Sequence, residues 1–200
     1  MKQKCNVKLW LLALIGFLPI ASVWAEGQPA AAKWGETEYP FLQDAVDAAM
    51  AAGGEQTIYL IGEPTTGEIV TIQEVAGFKL TIDGKKDETT NYKSDAFFKI
   101  DGLRGNGGSV SNGASVTFKN IDFVHNSFPT SKTNGIEATK YPHHITIQDC
   151  TYKGSSSSTS NWFFYANEGS DAPLYGAVFK NVTVEQSRLI YAHLSSEVVF

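Results

Sequence analysis

Disulfide-forming cysteines and charged residues are both scarce in this chain. Its 200 residues include two cysteines, and charged side chains make up 18% of the total. Cys5 precedes the first apolar run, so Cys150 is the only cysteine that follows it. A lone cysteine forms no disulfide within its own chain, so stability must come from packing. The low charge content argues against charged helical bundles and disorder, and the length suits one domain with a well-buried core.

Basic residues are also scarce once the first segment is set aside. The chain has 16 Lys+Arg and 21 Asp+Glu, and three of the basic residues but none of the acidic ones lie in the first 25 positions. The remainder therefore carries a net charge of −8. An acidic body repels the phosphate backbone of nucleic acids. We therefore expect no nucleic-acid partner.

No apolar run is long enough to cross a membrane. The run at 9–20 has 12 residues, follows three lysines and leads into Val-Trp-Ala at 23–25. About 20 apolar residues are needed to span a bilayer, whereas a secretory signal needs an apolar stretch of about 7–15. The sequence predicts a signal peptide at 1–25, cleaved between Ala25 and Glu26, with no transmembrane segment afterwards. Export would place the protein in the periplasm, in the medium or on a bacterial cell surface.

One stretch after the signal has helical periodicity. Apolar residues recur every three or four positions between Pro40 and the glycines at 53–54. Proline at the start and glycine at the end is the usual polarity of a helix. We therefore predict a capping helix at about 40–53, preceded by an extended lead-in at 26–39.

Beyond Gly54 the sequence alternates like β-strands and repeats itself. An eight-residue pattern (apolar, Thr-like, apolar, polar, Asn/Asp/Gly, apolar, polar, apolar) occurs at 116–123, 145–152 and 177–184. Partial copies lie at 80–84 and 198–200. The central apolar positions are 36, 29, 32 and 21 residues apart: Ile82, Phe118, Ile147, Phe179 and Phe200. Constant strands with connections of variable length are typical of a stacked coil.

A second set of short apolar strands lies between the copies, at 96–100, 135–136, 162–165 and 189–191. Two or three strands per turn and no intervening helix predict an all-β fold, a right-handed parallel β-helix (a solenoid) over 40–200. A β-sandwich is the rival, but two-residue hairpin turns are scarce and a sandwich does not need a shared register. The last copy stops at residue 200, so we expect an uncapped C-terminal end and an incomplete domain.

The pattern assigns turn and core positions. Asn and Asp tolerate left-handed backbone geometry, so a turn ladder is expected at the fifth position of each copy: Gly84, Asn120, Asp149 and Asn181. The position after it places Cys150 in line with Ile121 and Val182, where it would be a small buried hydrophobe. The histidines at 143–144 are interpreted as a solvated loop pair, since no third metal ligand lies at a recognisable spacing.

The chain resembles the pectin-lyase-like superfamily, in character closest to its secreted or surface adhesin-type members. The resemblance covers about 40–200 and rests on the helix at 41–52, the strand at 57–60, Leu-Thr-Ile-Asp-Gly at 80–84 and the Phe-Lys-Asn-Ile/Val copies at 118–121 and 179–182. It implies a fold shared by pectate lyases, polygalacturonases, pectin methylesterases and surface adhesins. It implies no reaction.

The enzymes of this superfamily make demands that the sequence does not meet. A lyase of this type needs acidic groups on adjacent turns to hold Ca²⁺, and a glycosidase needs two carboxylates about 5–9.5 Å apart. Asp83 and Asp122 come from different strand positions, and no second pair is evident. We therefore predict no catalytic residue, metal or cofactor in this stretch. The alternative is a polysaccharide lyase or a glycoside hydrolase with catalytic turns beyond residue 200, and only the lyase gives Ca²⁺ a place as cofactor.

Binding is the leading hypothesis for function. Insertions of a solenoid gather on one side and commonly form its binding surface. Trp162 and Tyr165 follow the Ser-rich stretch at 155–160 and are candidates for stacking on sugar rings; the alternative is packing within their own turn. We expect an exported module of adhesin type for polysaccharides, cell-surface glycans or host and neighbour surfaces. A purely structural stalk is a third interpretation.

Overall fold

The computed structural model describes residues 28–64, 67–73, 75–101, 114–125, 133–139, 144–155, 162–166, 176–192 and 198–200. The predicted signal peptide and its cleavage point at Ala25 and Glu26 lie outside these residues. Within them the chain forms fifteen strands and one short helix near the N-terminus. The predicted β-rich architecture with a single N-terminal helix is therefore confirmed. No helix among the described residues is long and apolar enough to cross a membrane.

The elements of the first half are β1 Ala32–Trp34, β2 Thr37–Tyr39, α1 Leu42–Ala52, β3 Glu55–Leu60, β4 Ile69–Gln73, β5 Lys79–Asp83, β6 Tyr92–Ser94 and β7 Phe97–Asp101. Those of the second half are β8 Ser115–Lys119, β9 Ile121–Val124, β10 Thr133–Thr139, β11 His144–Lys153, β12 Trp162–Ala166, β13 Ala177–Glu185, β14 Arg188–Ala192 and β15 Val198–Val199.

The strands form two sheets, and the chain crosses repeatedly from one to the other. Sheet A contains ten strands, whose main path runs β15-β13-β11-β8-β5-β3-β1-β2, with β6 and β9 beside it. Sheet B contains five, in the order β14-β12-β10-β7-β4. Apart from β1, which pairs antiparallel with β2 and β3, the strand pairs are parallel. Each sheet therefore grows by adding later strands on one side.

The strand register joins the positions that the repeat aligned. Ile82 pairs with Phe118, Phe118 with Ile147, and Ile147 with Phe179. Because side chains alternate between the two faces of a strand, these four residues project from the same face of sheet A. All four are buried. The apolar columns of the sequence are thus stacks of neighbouring side chains.

The N-terminal end is closed by a hairpin and by α1. The helix buries one face completely, with Leu42, Ala45, Val46 and Ala49 all at 0% exposure. It ends at Gly53, whose φ of 67° suits glycine and whose N–H donates to the carbonyls of Ala49 and Met50. The predicted extended lead-in at 26–39 contains the hairpin β1–β2. Strands of three residues are too short to show alternation, which is why the sequence did not reveal them.

Three phenylalanines join the two sheets at the centre of the core. Phe98 of β7 meets Phe118 of β8 edge to face, with ring centroids 4.8 Å apart. Phe123 of β9 lies 5.9 Å from Phe98 and 6.0 Å from Phe118, also edge to face. Edge-to-face contacts add to the stabilisation from burial alone. The aromatic cluster therefore joins strand β7 of sheet B to strands β8 and β9 of sheet A.

Replacement of Phe118 by alanine should destabilise the fold severely. Phe118 is fully buried, and its removal leaves a cavity and two broken ring contacts. We expect a loss of about 3–5 kcal/mol in the free energy of unfolding, measured by urea titration. Tyr59→Ala is the matched control, because Tyr59 is 51% exposed on β3, and we expect a change within about 0.5 kcal/mol. Equal losses for both variants would contradict the central position of this cluster.

Candidate functional site

The predicted turn ladder lies where sheet A bends. Asn120 falls between β8 and β9, while Asp149 and Asn181 lie within the long strands β11 and β13. Their φ angles are 54°, 53° and 49°, the left-handed region that Asn and Asp tolerate best. Gly84, at the corresponding position of the first copy, does not share this geometry. Three of the four positions thus use the same backbone conformation.

Gly84 is required for a different reason. A Cβ atom at this position would lie 2.5 Å from the carbonyl oxygen of Asn120. The backbone at Asn120 therefore lies too close to this position for any side chain. The Gly84 N–H uses this approach to donate a hydrogen bond of 2.9 Å to the Lys119 carbonyl.

The side chains of the bend form hydrogen bonds between neighbouring strands of sheet A. Asn120 Nδ2 donates to Asp83 Oδ1 at 2.8 Å, and Asn181 Nδ2 donates to Asp149 Oδ1 at 2.9 Å. Gln148 Nε2 donates to the other oxygen of Asp149 at 2.9 Å. These amide donors lower the pKa of the Asp149 carboxyl, with the bond from Asn181 the largest cause. The carboxylates of Asp83 and Asp149 therefore both accept hydrogen bonds from neighbouring side chains.

The two carboxylates that the sequence offered for glycosidase chemistry have structural partners. Asp83 also accepts from the Lys85 N–H at 3.0 Å and lies 4.0 Å from Lys119 Nζ. Asp122 accepts from Thr151 Oγ1 at 2.9 Å and from Asn91 Nδ2 at 3.3 Å. Among the described residues no group of three or more His, Cys, Asp or Glu converges on a metal-sized site.

The predicted binding residues Trp162 and Tyr165 both belong to β12, three positions apart. Between them, Phe164 points into the core against Phe179. Tyr191 of β14 joins them: its ring stacks on Tyr165 at 4.9 Å and meets Trp162 at 5.3 Å. The guanidinium of Arg188 lies over the Trp162 ring at 4.9 Å. We call Trp162, Tyr165, Arg188 and Tyr191 the aromatic patch.

The members of the aromatic patch differ in how much of them a ligand can reach. Tyr165 is only 6% exposed, so its ring is a support for Tyr191. Trp162 and Tyr191 are half-buried, and Arg188 is exposed. Sequence reasoning missed Tyr191 and Arg188. Aligning 162–165 with 188–191 as successive strands would have found both, because Trp162 pairs with Arg188 and Tyr165 with Tyr191.

Cys150 and His144, which the sequence also singled out, lie on β11 of sheet A, whereas the aromatic patch lies on β12 and β14 of sheet B. Cys150 is 1% exposed, and burial raises the pKa of its thiol to about 12. A neutral buried thiol is a poor nucleophile. His144 is exposed at the start of β11, while His143 lies outside the described residues. Most of the Ser-rich connection, at 156–160, lies outside them as well.

A second polar cluster lies at the N-terminus of α1. Glu68, just before β4, accepts a hydrogen bond of 2.7 Å from the Gln43 N–H. Burial raises the pKa of the Glu68 carboxyl; hydrogen bonds from the backbone of Gln43 and Leu42 oppose this, and the charges of Asp44 and Asp95 add to it. Burial also raises the pKa values of Asp44 and Asp95. The cluster therefore favours protonation of its carboxyls.

Comparison with known proteins adds no relative. No protein-family model matches the chain, and neither the curated proteins nor the solved structures give a match.

Two substitutions of Asn120 separate the contribution of its left-handed backbone from that of its side-chain hydrogen bond. Asn120→Ala loses the bond to Asp83 and strains the left-handed residue, so we expect a loss of about 1–3 kcal/mol in unfolding free energy. Asn120→Gly loses only the bond and should cost less. Urea titration measures both. A glycine variant that is the less stable of the two would show that φ is not the constraint.

The carboxyls near α1 predict a pH dependence of stability. A raised folded-state pKa means that the folded protein holds a proton more tightly than the unfolded chain. The contribution of Glu68 is therefore present below its ordinary value of 4.5 and is lost as pH rises through the raised value. We therefore expect the protein to have a higher melting temperature at pH 4.5 than at pH 7. Glu68→Gln should reduce the difference, whereas Glu55→Gln, at a well-exposed site, should leave it unchanged.

Proposed function

We propose that the two sheets are faces of a right-handed parallel β-helix of the pectin-lyase-like type, and that the protein is an exported binding module of adhesin type. Three observations support the coil. The chain alternates between the sheets, successive strands pair in parallel, and three positions of the bend share one left-handed conformation. The ligand we propose is a polysaccharide or cell-surface glycan.

The observation that carries this proposal is the aromatic patch on β12 and β14. Sugar rings present C–H faces that pack on aromatic rings, while their hydroxyls need hydrogen-bond partners. Trp162 and Tyr191 offer ring surface, and their centroids are 5.3 Å apart at an angle of 62°. Tyr165 stacks behind Tyr191 with an angle of 15° between the planes and so fixes its orientation.

Arg188 supplies the polar part of the site. Its guanidinium lies over Trp162, so the planar donor array is held against the ring instead of moving freely. Several N–H donors of an arginine remain available when one face of the group is stacked. The combination of ring faces and fixed donors suits a sugar hydroxyl or a carboxylate of an acidic sugar.

The use of the carboxylates supports binding over turnover. Asp83 and Asp122 accept hydrogen bonds from residues of their own or the neighbouring turn. A general acid or a nucleophile must instead be available to the substrate. The polar residues of the bend therefore act as structural groups, and the aromatic patch is the site we assign to the ligand.

Binding can be tested by affinity electrophoresis of the purified protein through gels that contain neutral or acidic polysaccharides. We expect retardation by at least one polysaccharide, and Trp162→Ala should raise its Kd at least about fivefold, the equivalent of ~1 kcal/mol. Tyr59→Ala removes an exposed aromatic ring of sheet A and should leave the Kd unchanged. Circular dichroism checks that both variants remain folded.

Two outcomes would overturn the proposal. One is the absence of retardation by every polysaccharide in the panel, together with no binding to a glycan array. The other is release of unsaturated or reducing sugars that stops when Asp83 or Asp122 is replaced by asparagine. The second result would identify the protein as a lyase or a hydrolase.

A further inference from the structure

Arg188 of the aromatic patch has no charged partner. Among the described residues its side chain contacts the Trp162 ring and forms no ion pair with an acid. The guanidinium is always ionised in proteins, and Arg188 is exposed. The chain after residue 25 has 13 basic and 21 acidic residues, so acids are in surplus by eight. An arginine that stays unpaired among so many acids is available to an anionic ligand.

A tight turn of the backbone places Arg188 at the start of its strand. β13 ends at Glu185 and β14 begins at Arg188, so two residues connect sheet A to sheet B. The first of them, Gln186, has a φ of 56°. Of the left-handed non-glycine residues that the structure describes, it is the one that is neither Asn nor Asp. Such a conformation persists where the surrounding structure enforces it, and it is frequent beside ligand sites.

A backbone contact with the end of β11 enforces this turn. The Gly154 N–H donates a hydrogen bond of 2.8 Å to the Glu185 carbonyl. A Cβ atom at Gly154 would collide with the Gln186 carbonyl oxygen and would lie 2.9 Å from Ser187 Cβ, so the contact requires glycine. The position of Arg188 is therefore fixed twice, by the turn that precedes it and by the ring beneath its guanidinium.

The surroundings of the aromatic patch suit a single anionic group. In the strands that the structure describes, sheet B has two cations, Arg188 and Lys99. Lys99 lies three strands from Tyr191, a distance of about 14 Å. Glu137 is between them, in register with Tyr165. The face of an aromatic ring carries partial negative charge, so a carboxylate on the Tyr191 ring would lose water without gaining a partner. The ring surface therefore suits a neutral sugar.

We infer that the ligand of the aromatic patch is a glycan in which an acidic sugar is bonded to a neutral sugar, an inference that rests on the proposed binding function. The carboxylate of the acidic sugar accepts two parallel hydrogen bonds from the Arg188 guanidinium. The C–H face of the neutral sugar packs on Tyr191, three residues further along β14 and about 10 Å away. A polymer with a carboxylate on every sugar places a second charge on the rings, on the side of Glu137, and binds less tightly.

The test is affinity electrophoresis of the purified protein through gels whose polysaccharides differ in the placement of carboxylates. Hyaluronan and unsulfated chondroitin alternate acidic with neutral sugars, whereas polygalacturonate carries a carboxylate on every sugar. Each polymer is also used after its carboxyl groups have been reduced to alcohols. We expect at least one alternating polymer to bind with a Kd at least about fivefold below that of its reduced form and that of polygalacturonate, because Arg188 gains a charged hydrogen-bond partner.

Two variants with the same change of net charge show whether Arg188 is responsible for this preference. Arg188→Gln removes the guanidinium, and we expect the Kd for the alternating polymer to rise to that of its reduced form. Lys79→Gln is the matched control, because Lys79 is an exposed cation on β5 of sheet A. This control should keep the preference. Circular dichroism checks that both variants are folded.

Failure of this inference is distinguishable from failure of the proposed function. Equal Kd values for the alternating polymers and their reduced forms, or binding of polygalacturonate at least as tight, would overturn the inference. The binding function would still stand if Trp162→Ala weakened the interaction. A folded Arg188→Gln protein that keeps the preference, or a Lys79→Gln protein that loses it, would also overturn the inference. Binding of no polysaccharide at all would overturn both proposals.

Discussion

The structure depends on one constraint, the parallel register that places the strand of each sequence copy beside the corresponding strand of the next copy. A shift of one residue would exchange the buried and exposed faces of a strand. The register therefore determines that Ile82, Phe118, Ile147 and Phe179 stack in the core and that the polar residues beside them remain outside. It also brings the left-handed positions of neighbouring strands together, so that Asn120 meets Asp83 and Asn181 meets Asp149.

This constraint explains why acidic residues that look reactive in the sequence are structural. Parallel stacking at a bend brings carboxylates and amides into contact, and each carboxylate gains hydrogen bonds that hold it in place. The residues of the proposed ligand site belong to sheet B, where Arg188, Trp162 and Tyr191 gather on two neighbouring strands. The scaffold and the proposed ligand site are therefore built from different residue types on different surfaces.

The repeat, the helix and the positions of the bend could be predicted from the sequence, because each has a local pattern: period-two alternation, period 3.6, and Asn or Asp at a constant offset. Other features have no such signal. The strands β1 and β2 are too short for alternation, and the exposure of Tyr165 depends on what packs against it. The side-chain amide of Gln43 forms hydrogen bonds with the backbone of Thr71, 28 positions away. Nothing in the local sequence pattern around Gln43 indicates such a contact. Trp162 was found by residue type, whereas Tyr191 and Arg188 required the register.

The closed N-terminal end has a consequence for how the chain acquires its structure. Strands that pair in parallel here are separated by some thirty residues, a topology that folds slowly because its contacts are non-local. The hairpin, α1 and β4 all lie within residues 28–73 and leave the ribosome before the later strands. Once they are assembled, one end of each sheet is occupied, and each new strand adds only at the other side. Both sheets therefore extend in one direction, from the end covered by the hairpin and α1 towards the later strands.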